Sequence, residues 1–564
     1  MLTGCKNCYG HATDPPHELH TLSDQPCTTL TGTSCDACRS IITIEAEILD
    51  AQAALLRLIE RHRTAREEMN MSHSSIHQRI PPEILSSIFR FCIPNNMEDN
   101  MLQHLSTPRR VETCMPYILG SVCRTWRSIA WSTPRLWNQV YLRFNSEKNA
   151  LQSELLEKWL SRTGDLPLRI YADCIVKHSR QRTYRQRTSK EEIPQMDIIS
   201  RYSSRWEDLY LCLPAECLDS LHAHSGTPLL RTLLLRPCVD YKNVKWQMPH
   251  TTPRNLFLDL RYMYDAQILH LGHYSFNVDW DMITELHIET NMPIMIEFAM
   301  NAENLRSLEI TNPSSYIEPD TTGDDAPYPH DPLRFEEPLL SHSNIQQFKY
   351  RCLSNHPNHF MTFDFPAAVK VHIDITNAPI DEPSGIAKLI SSLGHSPCLT
   401  WLTLNIGMYA DGDIDLVHIL HAAPSLEFLT LNYIHHSNLE FNLPKQLRNT
   451  AVANPNQFLP KLREISCTLG LKTIHWTDLL MVFGRLEEIN DPGRRPLTSV
   501  VYVVSNRSSN LRDEDIGPSP NEVRTMTPYL RSLKTANLHL EARLDSNKNL
   551  LPWALIEQVE SMAS

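Results

Sequence analysis

A six-residue phrase with apolar side chains at its first, fourth and sixth positions recurs ten times along this chain, and no other feature restricts the fold as much. Clear copies are Trp206-Leu209-Leu211, Leu230-Leu233-Leu235, Ile283-Leu286-Ile288, Leu305-Leu308-Ile310, Leu399-Leu402-Leu404 and Leu426-Leu429-Leu431. Weaker copies are Ile345-Phe348-Tyr350, Ala368-Val371-Ile373, Leu462-Ile465-Cys467 and Leu497-Val500-Tyr502. The fourth and sixth residues share one face of a strand, because side chains alternate with period two. Turns such as TPLLRTLLL, APSLEFLTL and LPKLREI precede several copies, and residues 384–397 and 415–426 read as helices between strands. Strand, helix, strand, repeated, makes a solenoid.

Most successive starts lie roughly 22 to 40 residues apart, near the leucine-rich-repeat period of about 20–29 with insertions. An ordinary α/β domain with buried strands competes with this reading, and ten copies in order favour the solenoid. The turn asparagine of regular repeats is missing and the period varies, which predicts a degenerate α/β solenoid over 150–545, a tail over 546–564, and a concave binding face.

At 564 residues the chain exceeds what one core organises, so two or more domains are expected. The formal charge of -12 gives no general attraction to nucleic acid or an anionic membrane. No run approaches the roughly 18–20 apolar residues needed to span a bilayer. The N-terminal residues lack a signal peptide's charged-then-apolar form, so a cytosolic or nuclear location is expected. Most of the fifteen cysteines, Cys92, Cys123, Cys352 and Cys467 among them, sit in apolar segments as reduced thiols do.

Residues 1–40 are polar. They hold two CxxC pairs, Cys5 with Cys8 and Cys35 with Cys38, whose spacing suits a tetrahedral zinc, although the 26 residues between the pairs exceed a zinc-ribbon gap. The favoured reading is a loop segment with incidental cysteines and no cofactor. Over 41–72 the pattern becomes a heptad, with Ile41, Ile44, Ile48, Ala51, Leu55, Leu58, His62, Ala65 and Met69 in alternating steps of three and four. This predicts a coiled-coil-like helix of about 29 residues, open either to self-association or to packing against the same chain.

Residues 80–94, IPPEILSSIFRFCIP, predict a short helix with Pro82 in its first turn, Glu83 at the positive dipole end and Pro94 as terminator. Ile84, Leu85, Ile88, Phe89 and Cys92 form one broad face. After a polar insertion over 94–116, Leu119, Val122, Cys123, Trp126, Ile129 and Ala130 trace one 3.6-period stripe, predicting one helix that Pro134 ends. Leu136 and Trp137 extend the apolar surface, and Trp131 falls off the stripe.

These residues carry a resemblance. Ile80-Pro81-Pro82-Glu83-Ile84-Leu85 and Ile88-Phe89, then Leu119, Val122-Cys123, Trp126, Ile129-Ala130 and Pro134-Arg135-Leu136-Trp137, resemble the F-box pattern over 79–141, with a longer internal loop and Ile80 in place of the common Leu. From about residue 41 the order of heptad helix, F-box-like segment, the phrase LLEKWLSRTGDLPLRIYA and leucine-rich strands resembles fungal-type F-box proteins. The fold class expected is α+β overall, with a small all-α F-box-like domain between a coiled-coil-like helix and a leucine-rich-repeat-like solenoid. The resemblance implies a non-catalytic subunit of a Skp/cullin/F-box ubiquitin ligase that docks on the Skp-type adaptor and presents a target protein. Ile80, Pro81, Pro82, Glu83, Ile84, Leu85, Ile88, Phe89, Leu119, Val122, Cys123, Trp126, Ile129, Pro134, Leu136 and Trp137 are then the docking residues. The other reading is a repeat scaffold detached from the ligase, binding nucleic acid or chromatin.

Enzyme motifs fail on spacing. HELH at 17–20 is one residue short of the zinc-protease helix motif, and DGDID at 411–415 meets Ala422 where a calcium loop needs glutamate. No phosphate-cradling glycine loop is present among 16 glycines. The arginine-rich stretch 180–190 and the acidic, proline-rich stretch 313–332 read as loops.

Overall fold

The computed structural model describes residues 36–73, 80–93, 114–144, 149–174, 194–213, 217–218, 220–223, 226–237, 245–247, 251–260, 275–289, 292–312, 339–352, 362–375, 396–406, 416–433, 443–452, 454–470, 476–505, 518–544 and 550–551. Cys5, Cys8 and Cys35, HELH, DGDID, both charged stretches and nearly all of 384–397 lie outside them, as does the side chain of Cys38.

The chain divides into two compact units, Met1–Cys92 with Leu119–Ala130, and Ile93–Ile118 with Trp131–Ser564. In the first, the heptad segment forms α1 (Asp36–His73), longer at both ends than the spacing predicts because neither flank holds a proline or glycine to stop it. Of its apolar stripe, Ile41, Ile44, Leu55, Leu58 and Met69 are exposed and Ile48 is half-buried. Helix α2 (Pro82–Phe91) starts on Pro82 and carries Glu83 in its first turn.

The stripe from Leu119 to Ala130 is divided between two helices, α3 (Met115–Val122) and α4 (Arg124–Trp131), where the spacing predicted one. The cause is local. Cys123 leaves helical geometry and caps α4, its Sγ accepting from the Trp126 N–H at 3.3 Å, while Arg127 Nε donates to the Gly120 carbonyl at 2.9 Å across the break. A thiol and a guanidinium thus take over backbone groups that a continuous helix would pair itself.

The second unit is built on one parallel sheet of fourteen strands in which every strand lies beside its sequence neighbours in that sheet. They are β1 (Gln139–Phe144), β2 (Leu168–Cys174), β3 (Trp206–Leu213), β4 (Thr232–Pro237), β5 (Asn255–Asp259), β6 (Glu285–Glu289), β7 (Ser307–Asn312), β8 (Gln347–Cys352), β9 (Lys370–Ile375), β10 (Trp401–Ile406), β11 (Phe428–Tyr433), β12 (Glu464–Gly470), β13 (Ser499–Ser505) and β14 (His539–Leu544). All ten phrases enter this sheet, with their first, fourth and sixth residues buried. Four strands come from segments without a recognised phrase: β1, which starts before residue 150, then β2, β5 and β14. Strand β5 fills the long interval between Leu230 and Ile283.

A repeated hydrogen-bond pattern locks the register. The carbonyl after the first residue of most phrases accepts two N–H groups of the next repeat, as Thr284 does from Arg306 and Ser307, Val369 from Thr400 and Trp401, and Thr400 from Glu427 and Phe428. Buried hydroxyls add to it, Ser396 Oγ donating to the Phe365 and Ala368 carbonyls and Ser425 Oγ to that of Leu399. Helices fill the returns, among them α5 (Asn149–Leu160), α6 (Pro194–Arg201), α7 (Met292–Asn301), α8 (Leu416–His421, within the helix predicted over 415–426), α9 (Leu443–Asn449), α10 (Trp476–Leu480) and α11 (Pro520–Thr535). Helix α11 opens on a capping box between Ser519 and Glu522. One continuous apolar core runs the length of this unit.

Candidate interaction surfaces

Helix α2 has two apolar rows. Leu85 and Phe89 point inward and are buried, and Phe89 meets Trp126 ring to ring at 4.8 Å. Ile84, Ile88 and Phe91, spaced i, i+4, i+7, form an outward ridge, and Phe91 is 86% exposed. Val122 is exposed as well. The sequence reading missed Phe91, although its helical spacing from Ile84 and Ile88 was available.

The sixteen expected docking residues therefore separate by accessibility. Pro81, Pro82, Glu83, Ile84, Ile88, Val122 and Pro134 are exposed; Ile80, Cys123 and Trp126 are half-buried; Leu85, Phe89, Leu119, Ile129, Leu136 and Trp137 are buried. Within the first unit, Arg124 pairs with Glu67 of α1 at 2.8 Å.

Leu136 and Trp137 belong to the second unit. Trp137 is the centre of an aromatic cluster, with Tyr117 at 5.4 Å, Trp131 at 5.5 Å and Trp159 at 4.8 Å between ring centroids. Trp159 Nε1 donates to the Trp137 carbonyl at 2.6 Å, and the Arg162 guanidinium lies 4.6 Å from the Trp137 ring centre and 5.0 Å from that of Trp131. Large aromatic area and a cation over two ring faces close the end of the sheet beside β1.

The second surface is the sheet face opposite the main core. Parallel register sets the fifth residue of every phrase and its counterparts in the four other strands in one row across all fourteen strands: Tyr141, Tyr171, Tyr210, Leu234, Phe257, His287, Glu309, Lys349, His372, Thr403, Thr430, Ser466, Val501 and Glu541. Its β1 end is aromatic and largely buried, Tyr141, Tyr171 and Tyr210 stacking at 4.7 and 4.6 Å with nearly parallel rings and Tyr171, Tyr210 and Leu234 forming a small second core. The middle is charged and polar. Glu309 pairs with His287 Nδ1 at 3.1 Å and with Lys349, and Arg351 pairs with Asp374 in the adjoining row at 3.4 Å.

A chain of amides continues across the strands. Asn405 Nδ2 lies 3.3 Å from His372 Nε2, Asn432 Nδ2 donates to Asn405 Oδ1 at 2.7 Å, and Thr468 Oγ1 donates to Asn432 Oδ1 at 2.8 Å. Burial alone would raise the Glu309 carboxyl, but the hydrogen bonds and charges of His287 and Lys349 outweigh it and bring Glu309 down to about 2. Burial, with Lys349 alongside, holds the His372 imidazole below its usual range. The result is a rigid band of donors and acceptors across β6–β12, able to orient a polar partner.

Among the described residues no helix is long and apolar enough to cross a membrane. No family model matches the chain, and no curated protein matches it significantly.

Proposed function

We propose that this chain is the substrate-recruiting subunit of a Skp/cullin/F-box-type ubiquitin ligase. Its F-box-like helices dock on the Skp-type adaptor, and its leucine-rich-repeat-like sheet presents a target protein; the chain itself performs no chemistry. The observation that carries the reading is the ridge of Ile84, Ile88 and Phe91, on the helix that bears the IPPEIL phrase. A helix already anchored through Leu85 and Phe89 gains nothing for its own fold from a second apolar row, and a row of that kind left in water marks a protein-binding surface. The polar band over β6–β12 supports the other half of the reading, since a rigid surface with fixed charges is suited to selective recognition.

The test is capture of the purified Skp-type adaptor by the full-length chain. Wild type should retain it. Ile88→Asp should not, and because Ile88 is exposed its circular dichroism should be unchanged. Failure of the wild type to capture the adaptor, or full capture by Ile88→Asp, would reject the reading and favour a repeat scaffold outside the ligase.

A further inference from the structure

The exposed seam of α1 is matched to a second copy of itself running in the opposite direction. From Ile41 to Met69 the seam is about 42 Å long at 1.5 Å per residue, and its large residues stand in water except Ile48, which is half-buried. Orientation is written into the alanines. A parallel, in-register pair would set Ala51 on Ala51, Ala65 on Ala65 and His62 on His62, leaving two empty layers and one polar layer.

Reversing one helix about a two-fold axis near residue 53 gives the layers Ile41 with Ala65, Ile44 with His62, Ile48 with Leu58, and Ala51 with Leu55, each occurring twice. Each of these alanines then faces a large residue. Charge agrees with shape. Residues 41–53 carry Glu45, Glu47 and Asp50 and no basic side chain, whereas 57–66 carry Arg57, Arg61, Arg63 and Arg66 against Glu60. In the antiparallel register Glu47 flanks Arg61 of the other copy on both sides of the axis; in the parallel one Arg61 would face Arg66.

We infer that α1 is a dimerisation helix that pairs antiparallel with α1 of a second copy of this chain. Residue 73 of the two copies then stands about 60 Å apart at the ends of the paired rod, so each dimer carries two F-box-like units that do not share one place. This inference does not depend on the ligase reading.

Sedimentation equilibrium of the full-length chain tests it. Wild type should be a dimer at micromolar concentration and Leu55→Asp a monomer of unchanged circular dichroism, since Leu55 is 57% exposed. Arg61→Glu should weaken the dimer roughly tenfold by facing Glu47, and Glu47→Arg combined with Arg61→Glu should restore it. A wild-type monomer at tens of micromolar, a trimer or tetramer, a dimer that survives Leu55→Asp, or a dimer tightened by Arg61→Glu would each overturn the inference.

Discussion

Replacing Arg495 with methionine should loosen one end of the sheet and leave the other untouched. This arginine is 2% exposed, and no carboxylate pairs with it among the described residues. Its Nη1 donates to the Leu447 carbonyl at 3.1 Å, and Nη2 donates to the Thr450 carbonyl at 3.2 Å, Thr450 Oγ1 at 2.6 Å and the Phe458 carbonyl at 2.8 Å. The Leu447 and Thr450 carbonyls are orphan acceptors at the C-terminal end of α9, where a cation also meets the negative end of the helix dipole. Burial, with Arg494 adding repulsion, brings the guanidinium down from 12.5 to about 10. That difference sets the combined cost of burial and of the Arg494 charge at about 3 kcal/mol.

Methionine would remove this cost together with the four bonds. Charge-assisted bonds contribute about 1.5–3 kcal/mol each, so the loss exceeds the relief and the net destabilisation is at least about 3 kcal/mol. Solenoid repeats communicate mainly with their neighbours, which confines the effect to the region of α9, residues 454–463 and β13. Hydrogen exchange followed by mass spectrometry reads it: amides there should exchange at least about a hundredfold faster, with β3–β6 unchanged. Exchange within threefold of wild type, or acceleration spread evenly over the whole sheet, would refute the argument.

Glu309 makes stability sensitive to acid. Its folded value of about 2 lies below the ordinary 4.5, so its contribution is complete above about pH 4.5 and is lost as pH falls from there toward 2. Because the side chain is 27% exposed, the contribution is about 1–2 kcal/mol after screening, and urea melts of Glu309→Gln should differ from wild type at pH 7 but converge near pH 2. Cys467 is fully enclosed and burial pushes its thiol far up, so iodoacetamide should leave it unmodified in the native chain while labelling the exposed Cys398; modification of both at similar rates would contradict the core assignment.

The repeat was legible because its three apolar positions must all be buried, and each of the ten phrases therefore displays the same residue class at the same spacing. Three of the four unrecognised strands break that rule at one position. Pro167 and Pro253 stand where β2 and β5 would have their first apolar residue, and β14 has Asn537 there, in left-handed geometry at φ 55°. Strand β1 does obey it, through Trp137, Val140 and Leu142, but the same tryptophan also completes the F-box-like pattern and the two signals overlap. The break at Cys123 was hidden, because the apolar period continues through it while the cap depends on where one sulfur atom lies. The ten row members that lie in phrases, from Tyr210 to Val501, could be aligned from the phrases alone; the pairing of His287, Glu309 and Lys349 could not, since that needs the registry of strands joined by long insertions. On α2, periodicity marked one broad face without distinguishing the inward Leu85 and Phe89 from the outward Ile84 and Ile88.

Whether α2 is the docking element is decided most directly by hydrogen exchange of the full-length chain with and without saturating Skp-type adaptor. Protection should appear over Pro82–Phe91 and around Val122, and β3–β14 should exchange as in the free chain. Unchanged exchange over Pro82–Phe91, or protection confined to the sheet, would contradict the account.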